Sequence, residues 1–432
     1  MMYKRSFILA GILTFGLTDE SLGQRDPDFT YQQNIKTVQL NPYGDQTAYP
    51  VIKLNSNDQL QLDFDDMDGD IKSYYYTIEL RNADWSPVQM GYFDYAKGYT
   101  TQRITNYRRS AQVLTRYTHY QLLFPGRDIM PTKSGNYVLK VFLNGDTANL
   151  SFTRRFLVTD VAPVGVSAEI QQPFNPNFFR TYQKIQVSLN AGRLNVSYPQ
   201  QQIKMTILQN GRWDNSLQSL KPGIIRGNVY EFNGEKEGVM PAMREWRWLD
   251  LTSFRLLSDR IQRHQNTNSG YELYVVPDQP RNTQKYIYYK DYNGIYAALT
   301  NENVNPYWNA DYATVHFTYV PPDNRPYGKS LYIIGQLTNY GKDPGAEMRW
   351  NGQSGAYETT LLLKQGYYDY AYGLTDNKKT PFSFNTDETE GNIWETENQY
   401  LVLIYYRELG GRYDQLLHVT SLSSIQNRSG RF

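Results

Sequence analysis

The 432-residue chain contains no cysteine. This absence excludes disulfide bonds, thiolate metal ligands, cysteine nucleophiles and a lipid-modified cysteine near the N-terminus. The chain also lacks a strong charge of one sign, because 44 Lys and Arg residues stand against 43 Asp and Glu residues. Nucleic-acid-binding domains usually carry a clear basic excess, so the composition gives no indication of a nucleic acid partner.

Long hydrophobic runs are missing as well. The apolar stretch FILAGILTFGL at residues 7–17 is shorter than the ~20 residues that a membrane-spanning helix needs. It follows Lys4 and Arg5 and precedes the small residues of SLG at 21–23. We therefore interpret residues 1–23 as a signal peptide that is cleaved after Gly23. The mature chain is expected to be exported and to have no transmembrane segment of its own.

The sequence patterns of common catalytic sites are absent too. The chain has no G-x-S-x-G, G-x-G-x-x-G or P-loop pattern. Its histidines are scattered and show no zinc-site spacing: His119, His264, His316 and His418. A carboxylate pair for glycoside hydrolysis is defined in space rather than in sequence, and no motif supports one. We expect no enzymatic activity, no catalytic residues, no metal and no cofactor.

Tyrosine, by contrast, is abundant, with 39 residues, and it favours strands and wet interfaces because its ring is apolar and its tip polar. Alternating patterns typical of strands recur, as in LQLDF (60–64), YYYTIEL (74–80) and NYVLKVFL (136–143). Turn sequences such as MDGD and KSGN separate them. The sequence thus predicts an all-β protein of three consecutive β-sandwich modules, Ig-like or fibronectin-like, after the signal peptide.

Clusters of proline and asparagine mark the predicted module boundaries. TDVAPVGV (159–166) ends the first module, and NENVNPYWN (301–309) is interpreted as a linker. The predicted organisation is therefore a signal peptide followed by modules at 24–160, 161–308 and 309–432.

The stretch FDDMDGD (64–70) is the most acidic part of the chain. It does not fit an EF-hand, because Gly69 at loop position 6 would place Phe64 at position 1 and Tyr75 at position 12. The simpler interpretation is a turn in which Asp-Gly reverses the chain between two strands. The alternative is a looser calcium site formed by Asp65, Asp66, Asp68 and Asp70.

The densest aromatic segment is QGYYDYAYG (365–373). Its alternation places Tyr368, Tyr370 and Tyr372 on one face of a strand. Such a face either packs in a core or binds a sugar through exposed rings. The sequence therefore leaves a second function open, that of a non-catalytic carbohydrate-binding protein of the periplasm or cell surface.

Three stretches of the first module resemble the type 9 secretion system plug protein family: FDDMDGDIKSYYYTIELRNADWSP (64–87), YFDYAKGYTTQRITNYRRSAQVLTRYTHYQLLFP (92–125) and SGNYVLKVF (134–142). The shared features are Phe64-Asp65-Asp66, Asn82, Asp84-Trp85, Pro87, Tyr95, Gly98, Tyr117-Thr118-His119-Tyr120 and Gly135-Asn136-Tyr137. The third module separately resembles the Ig-like glycogen-binding module, through LYIIGQLTNYG (331–341) and LLLKQGYYDYAY (361–372). That second resemblance concerns the fold alone.

The first resemblance implies a periplasmic, all-β, non-enzymatic protein. Such a protein docks at the periplasmic mouth of the giant outer-membrane translocon barrel of the type 9 secretion system. It seals the channel there between transport events. Its partner-binding residues are expected within the first module, at Asp65, Asp66, Asp84, Trp85, Tyr117, His119 and Tyr120. A third possibility, exported cargo of the same pathway, requires a C-terminal sorting domain, of which the residues after Val419 show no sign.

Overall fold

The structure, a computed structural model, describes residues 27–160, 162–267, 270–303, 305–376 and 383–428. The signal peptide predicted at 1–23 lies outside these ranges. Strands account for 47% of the chain and helices for 4%, which confirms the predicted all-β class. Within the described residues, no helix has both the length and the apolar character to cross a membrane.

The first domain (27–160) is a sandwich of two sheets with one short helix, α1 (Tyr92–Tyr95). Its strands are β1 (Phe29–Thr30), β2 (Ile35–Pro42), β3 (Val51–Lys53), β4 (Leu60–Asp66), β5 (Tyr74–Arg81), β6 (Ala96–Gly98), β7 (Gln102–Arg103), β8 (Asn106–Arg109), β9 (Thr118–Phe124), β10 (Ile129–Pro131), β11 (Gly135–Leu143) and β12 (Leu150–Thr159). One sheet, sheet A, has the order β1-β12-β11-β5-β7 with β3 beside β12, and the other, sheet B, has the order β2-β4-β9-β8.

The alternation of β4 explains how this domain meets its neighbours. Leu60, Leu62 and Phe64 point into the core between the two sheets. Because successive side chains of a strand point to opposite faces, Asp63 and Asp65 lie on the outer face of sheet B. Both aspartates are nevertheless buried, so something other than water covers this face.

The rest of the chain forms two further sandwiches, with a short helix α2 (Pro199–Gln202) and 3-10 turns at Pro176–Phe178, Pro322–Asn324 and Gln336–Thr338. Their strands are β13 (Gly165–Gln171), β14 (Tyr182–Asn190), β15 (Ile203–Gln209), β16 (Arg212–Leu220), β17 (Ile224–Arg226), β18 (Val229–Phe232), β19 (Val239–Pro241), β20 (Arg247–Asp250), β21 (Ile261–Thr267), β22 (Gly270–Val275), β23 (Tyr296–Ala298), β24 (Tyr312–Tyr319), β25 (Ser330–Ile334), β26 (Arg349–Asn351), β27 (Ala356–Lys364), β28 (Gly366–Thr375), β29 (Gln399–Tyr406) and β30 (Gln415–Ser423).

Strand pairing corrects the predicted boundary between 161–308 and 309–432. β15 pairs with β29 along its whole length, from Ile203 opposite Tyr406 to Gln209 opposite Tyr400. The second unit therefore combines the sheets β13-β14-β18-β17 and β16-β15-β29-β30. The third unit, built from β20 to β28, is inserted into it, since β20 already pairs with β28. Alternation along a strand reveals which side chains share a face, but it does not reveal which strands pair. The sequence therefore showed no sign of the insertion, and the expectation of consecutive modules was wrong.

Candidate functional site

The acidic stretch forms the turn between β4 and β5, which confirms the turn interpretation. Carboxylate oxygens of Asp66, Asp68 and Asp70 lie within 4.8 Å of one another. The Lys72 ammonium lies among them, 2.9 Å from Asp66 and 3.4 Å from Asp70 and in contact with Asp68. A calcium ion bound at this turn would therefore have to displace Lys72. The fourth aspartate, Asp65, points to the opposite face of β4 and takes no part.

The residues predicted to bind a partner lie mostly in the interior. Six of the seven have exposed fractions of 4% or less: Asp65, Asp66, Trp85, Tyr117, His119 and Tyr120. The side chains of Asp66 and Tyr120 make their contacts within the first domain, whereas the other four contact the neighbouring units. In this conformation none of the six presents an exposed side chain, and their contact with a partner stays a prediction. Asp84 is exposed, and its contact with a partner stays a prediction.

A charged cluster joins the outer face of sheet B to the third unit, and we call it the polar interface. One oxygen of Asp65 lies 2.7 Å from Nδ1 of His119, whose Nε2 is 3.1 Å from Asp63. The other oxygen of Asp65 accepts hydrogen bonds from the Lys364 ammonium and from the Tyr312 hydroxyl, both at 2.6 Å. All five side chains are buried. The carboxylate of Asp65 thus has one partner in the first domain, His119, and two in the third unit, Lys364 and Tyr312.

The ionisation of these groups follows from their contacts. Burial disfavours the charged form of Asp65, but the charge of Lys364 and the hydrogen bond from His119 outweigh burial and lower its pKa. For His119, burial is outweighed by hydrogen bonds to Asp63 and Asp65, which raise its pKa. Burial lowers the pKa of Lys364, although Asp65 acts against it. The cluster is therefore bound together as a set of charges that are excluded from water.

The segment at 305–312, which we call the clasp segment, extends this interface. Its backbone carbonyls at 307 and 310 accept hydrogen bonds from Lys364 Nζ and Tyr117 Oη, both at 2.6 Å. The carboxylate of Asp311 accepts hydrogen bonds from the backbone N–H groups of Leu114 (2.5 Å) and Thr115 (3.0 Å). Residues 305–309, interpreted as linker from the sequence, thus pack directly on the first domain. The asparagine and proline content gave no signal of this contact.

The opposite face of the first domain meets the second unit through an apolar cluster, which we call the apolar interface. Its buried members are Ala83, Trp85, Val138, Leu157, Leu208, Leu403, Tyr405 and Leu416. Trp85 packs edge-on against Trp213, with ring centroids 4.9 Å apart. Polar contacts accompany it, such as the hydrogen bond of 2.7 Å from the Tyr405 hydroxyl to the Asn136 amide oxygen. Both faces of the first domain are therefore covered by other parts of the same chain.

The aromatic face considered for sugar binding lies inside the third unit. Tyr368, Tyr370 and Tyr372 have exposed fractions of 2% or less. The hydroxyls of Tyr370 and Tyr372 donate to the carboxylate of Asp278, at 2.7 Å and 2.9 Å. These rings cannot stack on a sugar in this conformation, so the carbohydrate-binding alternative loses the residues on which it rested.

Comparison with known proteins finds similarity to a protein family over the first domain and to a solved structure over most of the chain. Residues 35–160 match the family model described as "Type 9 secretion system plug protein 1st domain". The chain is also similar to a hypothetical protein from Parabacteroides merdae with a crystal structure, at 28% sequence identity and a TM-score of 0.86. That match covers 92% of this chain and 98% of the other. No curated protein matches the chain.

The family match falls on the domain that is enclosed by the polar and apolar interfaces. It confirms the resemblance drawn from the stretches at 64–87, 92–125 and 134–142. It supports a role connected with type 9 secretion, and a location near that system in the cell envelope. Residues 35–160 of this chain are thus similar to the first domain of type 9 secretion system plug proteins.

Proposed function

We propose that this chain is a non-enzymatic plug subunit of the type 9 secretion system. In the periplasm it binds the periplasmic mouth of the outer-membrane translocon barrel and closes the channel between transport events. The observation that carries the proposal is the family match of residues 35–160.

The enclosure of the first domain fits such a role. A plug has to act as one body, because a domain that detached from its neighbours would leave a path around itself. Here the polar interface and the apolar interface fix both faces of the sandwich to the rest of the chain. The parts of the first domain that remain free for a partner are therefore the edges and ends of its sheets.

One such end carries exposed apolar side chains, and we assign it to the translocon contact. Phe93, Tyr99 and Met130 are 72%, 63% and 43% exposed. Tyr99 and Met130 come together because β6 pairs with β10, placing Met130 opposite Lys97, and because Tyr99 N–H donates to the carbonyl of Asp128. Phe93 belongs to α1, which directly precedes β6. Aromatic and methionine side chains are enriched in protein interfaces. We call Phe93, Tyr99 and Met130 the ribbon patch.

The proposal is tested by purifying the tagged mature protein from detergent-solubilised outer membranes of its own host, followed by mass spectrometry. The expected result is one very large barrel protein at near-equal stoichiometry. Deleting the gene should make the outer membrane permeable to large antibiotics. Failure to recover a barrel protein, together with unchanged permeability in cells that contain the translocon, would refute the plug function.

The ribbon patch is tested by the triple variant Phe93→Ser, Tyr99→Ser and Met130→Ser. The expected result is loss of the barrel protein from the purification, with an unchanged unfolding transition of the isolated chain. The matched control is Leu256→Ser, because Leu256 is 83% exposed on the third unit. Equal recovery of the barrel with the triple variant and with the control would refute this surface but leave the plug function intact.

A further inference from the structure

A cavity of about 670 Å³ lies where the three units meet. Its wall comes from residues 28–50 and 154–155 of the first domain, 210–214 of the second unit, and 295–296, 336–344 and 360–368 of the third. Ligand sites occur preferentially at such domain junctions, with volumes of roughly 300–1,000 Å³. The plug function proposed above makes no use of this space.

Some of the charged side chains in the wall are neutralised by close ion pairs. These pairs are Arg155 with Asp28 at 2.8 Å, Asp214 with Arg212 at 2.5 Å, and Lys364 with Asp65 at 2.6 Å. The wall also carries Lys36, Arg154 and Lys342 and one further carboxylate, Asp343. Lys342 has interactions of its own, among them a hydrogen bond of 3.2 Å from its Nζ to the Asp28 carbonyl.

Two of these cations have no carboxylate of their own. Among the described residues, no carboxylate oxygen lies within 4.0 Å of the side-chain nitrogens of Lys36 or Arg154. The charges of Arg154, Lys36 and Lys342 all act on Asp343, yet burial prevails and raises the pKa of that carboxyl group. Among the described residues, Lys36 and Arg154 therefore bring positive charge to the cavity without an ion-pair partner.

Arg154 is held in place with donors to spare. Its Nη1 donates to the Thr153 carbonyl at 2.8 Å and its Nη2 to the Thr30 hydroxyl at 3.2 Å. A guanidinium has more N–H groups than these two bonds use, and its planar fork suits carboxylate or phosphate oxygens. The described residues offer no further acceptor to it.

A strained bulge sets the position of Lys36. The pairing of β2 with β4 shifts between Lys36 and Gln39, and Thr37 has a φ of 52°. A β-branched residue rarely adopts this left-handed conformation, and such strain clusters at ligand sites. The Thr37 hydroxyl lies 2.6 Å from the Tyr312 hydroxyl, which holds the bulge against the third unit. Bulges redirect side chains next to functional sites, and here Lys36 lines the cavity.

We infer that this cavity binds a small organic anion whose carboxylate or phosphate group contacts Arg154 and Lys36. The uncharged part of the ligand packs against the rings of Tyr296 and Tyr340, which also line the cavity. A ligand in this position contacts the first domain and the third unit and stabilises their arrangement. The inference does not depend on translocon binding, because the site lies within the isolated chain.

The test is isothermal titration calorimetry of the full mature chain with inorganic phosphate, glucuronate, glucose 6-phosphate and neutral glucose, at matched ionic strength. Binding of at least one anion without binding of glucose is expected, and the anion that binds separates carboxylate from phosphate recognition. Absence of heat with all three anions up to about 10 mM, which is weaker than any useful site, would overturn the inference. Equal binding of glucose would overturn it as well.

Variants assign the binding to these residues. Arg154→Gln and Lys36→Gln should each lower the affinity for the anion by about tenfold or more, as expected for the loss of a charge-assisted hydrogen bond. The matched control is Lys236→Gln, which removes an exposed charge of the second unit away from the cavity wall. Circular dichroism confirms that each variant is folded. Unchanged affinity in both cavity variants would show that the anion binds elsewhere.

Discussion

The two faces of the first domain are covered in opposite ways. The polar interface depends on a few charged groups that must meet at hydrogen-bond distance, around Asp65. The apolar interface depends on area, through side chains such as Leu208 and Leu403 that have no directional requirement. A buried ion pair stabilises little compared with well-packed apolar residues, but it strongly penalises any misplaced partner. The apolar interface therefore contributes affinity between the units, and the polar interface fixes the position of one unit relative to the other.

The largest effect is expected from Lys364→Met, which leaves the two buried carboxylates of Asp63 and Asp65 with His119 as the one remaining cation of the cluster. The free energy of unfolding should fall by about 3–5 kcal/mol, as measured by urea denaturation. The double variant Asp65→Asn with Lys364→Met should lose less than Lys364→Met alone, because no charge is then left unpaired. If the double variant instead loses the sum of the two single effects, the pair is not coupled and the polar interface does not act as described.

A smaller loss of about 2–4 kcal/mol is expected for Leu403→Ala in the apolar interface, from the lost burial and the cavity left behind. Leu403 is fully buried between the first domain and the second unit. Because the substitution removes no titratable group, the loss should be the same at about pH 6 and about pH 9. A loss that changes with pH would mean that the two interfaces are not energetically separate.

Much of this architecture could be predicted from the sequence, but the contacts between units could not. The strands predicted at 60–64 and 74–80 correspond to β4 and β5 at Leu60–Asp66 and Tyr74–Arg81, because alternation reports which face of a strand is buried. An aspartate on the other face normally indicates solvent. Asp65 is instead covered by Lys364, which lies 299 positions further along the chain. Neither local propensity nor periodicity carries information over such a separation.

The same limitation applies to the site. The sequence singled out Tyr117 and His119 through the family resemblance, and both lie at the domain boundary. It could not show that they face inward, because the third unit that covers them has no recognisable complementary pattern. The three tyrosines on β28 alternate as expected, but alternation alone does not distinguish a core face from a binding face.

His119→Gln sharpens the comparison through pH. The pKa of His119 is raised by its carboxylate neighbours, so the stabilisation from its charged form is fully present below the unfolded value of about 6.5 and is lost as pH rises through the folded value. At about pH 6 the variant should be less stable by about 1–3 kcal/mol, because two buried carboxylates lose a donor. Towards about pH 9 the difference from the wild type should shrink. Urea denaturation at both pH values measures this difference in the free energy of unfolding. Leu403→Ala is the control, since its difference from the wild type should not change with pH. A constant difference would show that His119 is neutral in the fold.

The smallest effect is expected at the acidic turn between β4 and β5, where Lys72, Asp68 and Asp70 are only partly buried. Lys72 is 22% exposed among Asp66, Asp68 and Asp70. Lys72→Gln should cost only about 1 kcal/mol, much less than Lys364→Met, because water screens Asp68 and Asp70 and because the buried Asp66 keeps its hydrogen bonds from Asn34 and Tyr74. Removing the ammonium also frees the position that a calcium ion would need. Millimolar calcium chloride should therefore raise the melting temperature of Lys72→Gln more than that of the wild type, with sodium chloride at matched ionic strength as the control. If calcium stabilises the wild type equally, the ion binds without displacing Lys72, and the turn is a calcium site after all.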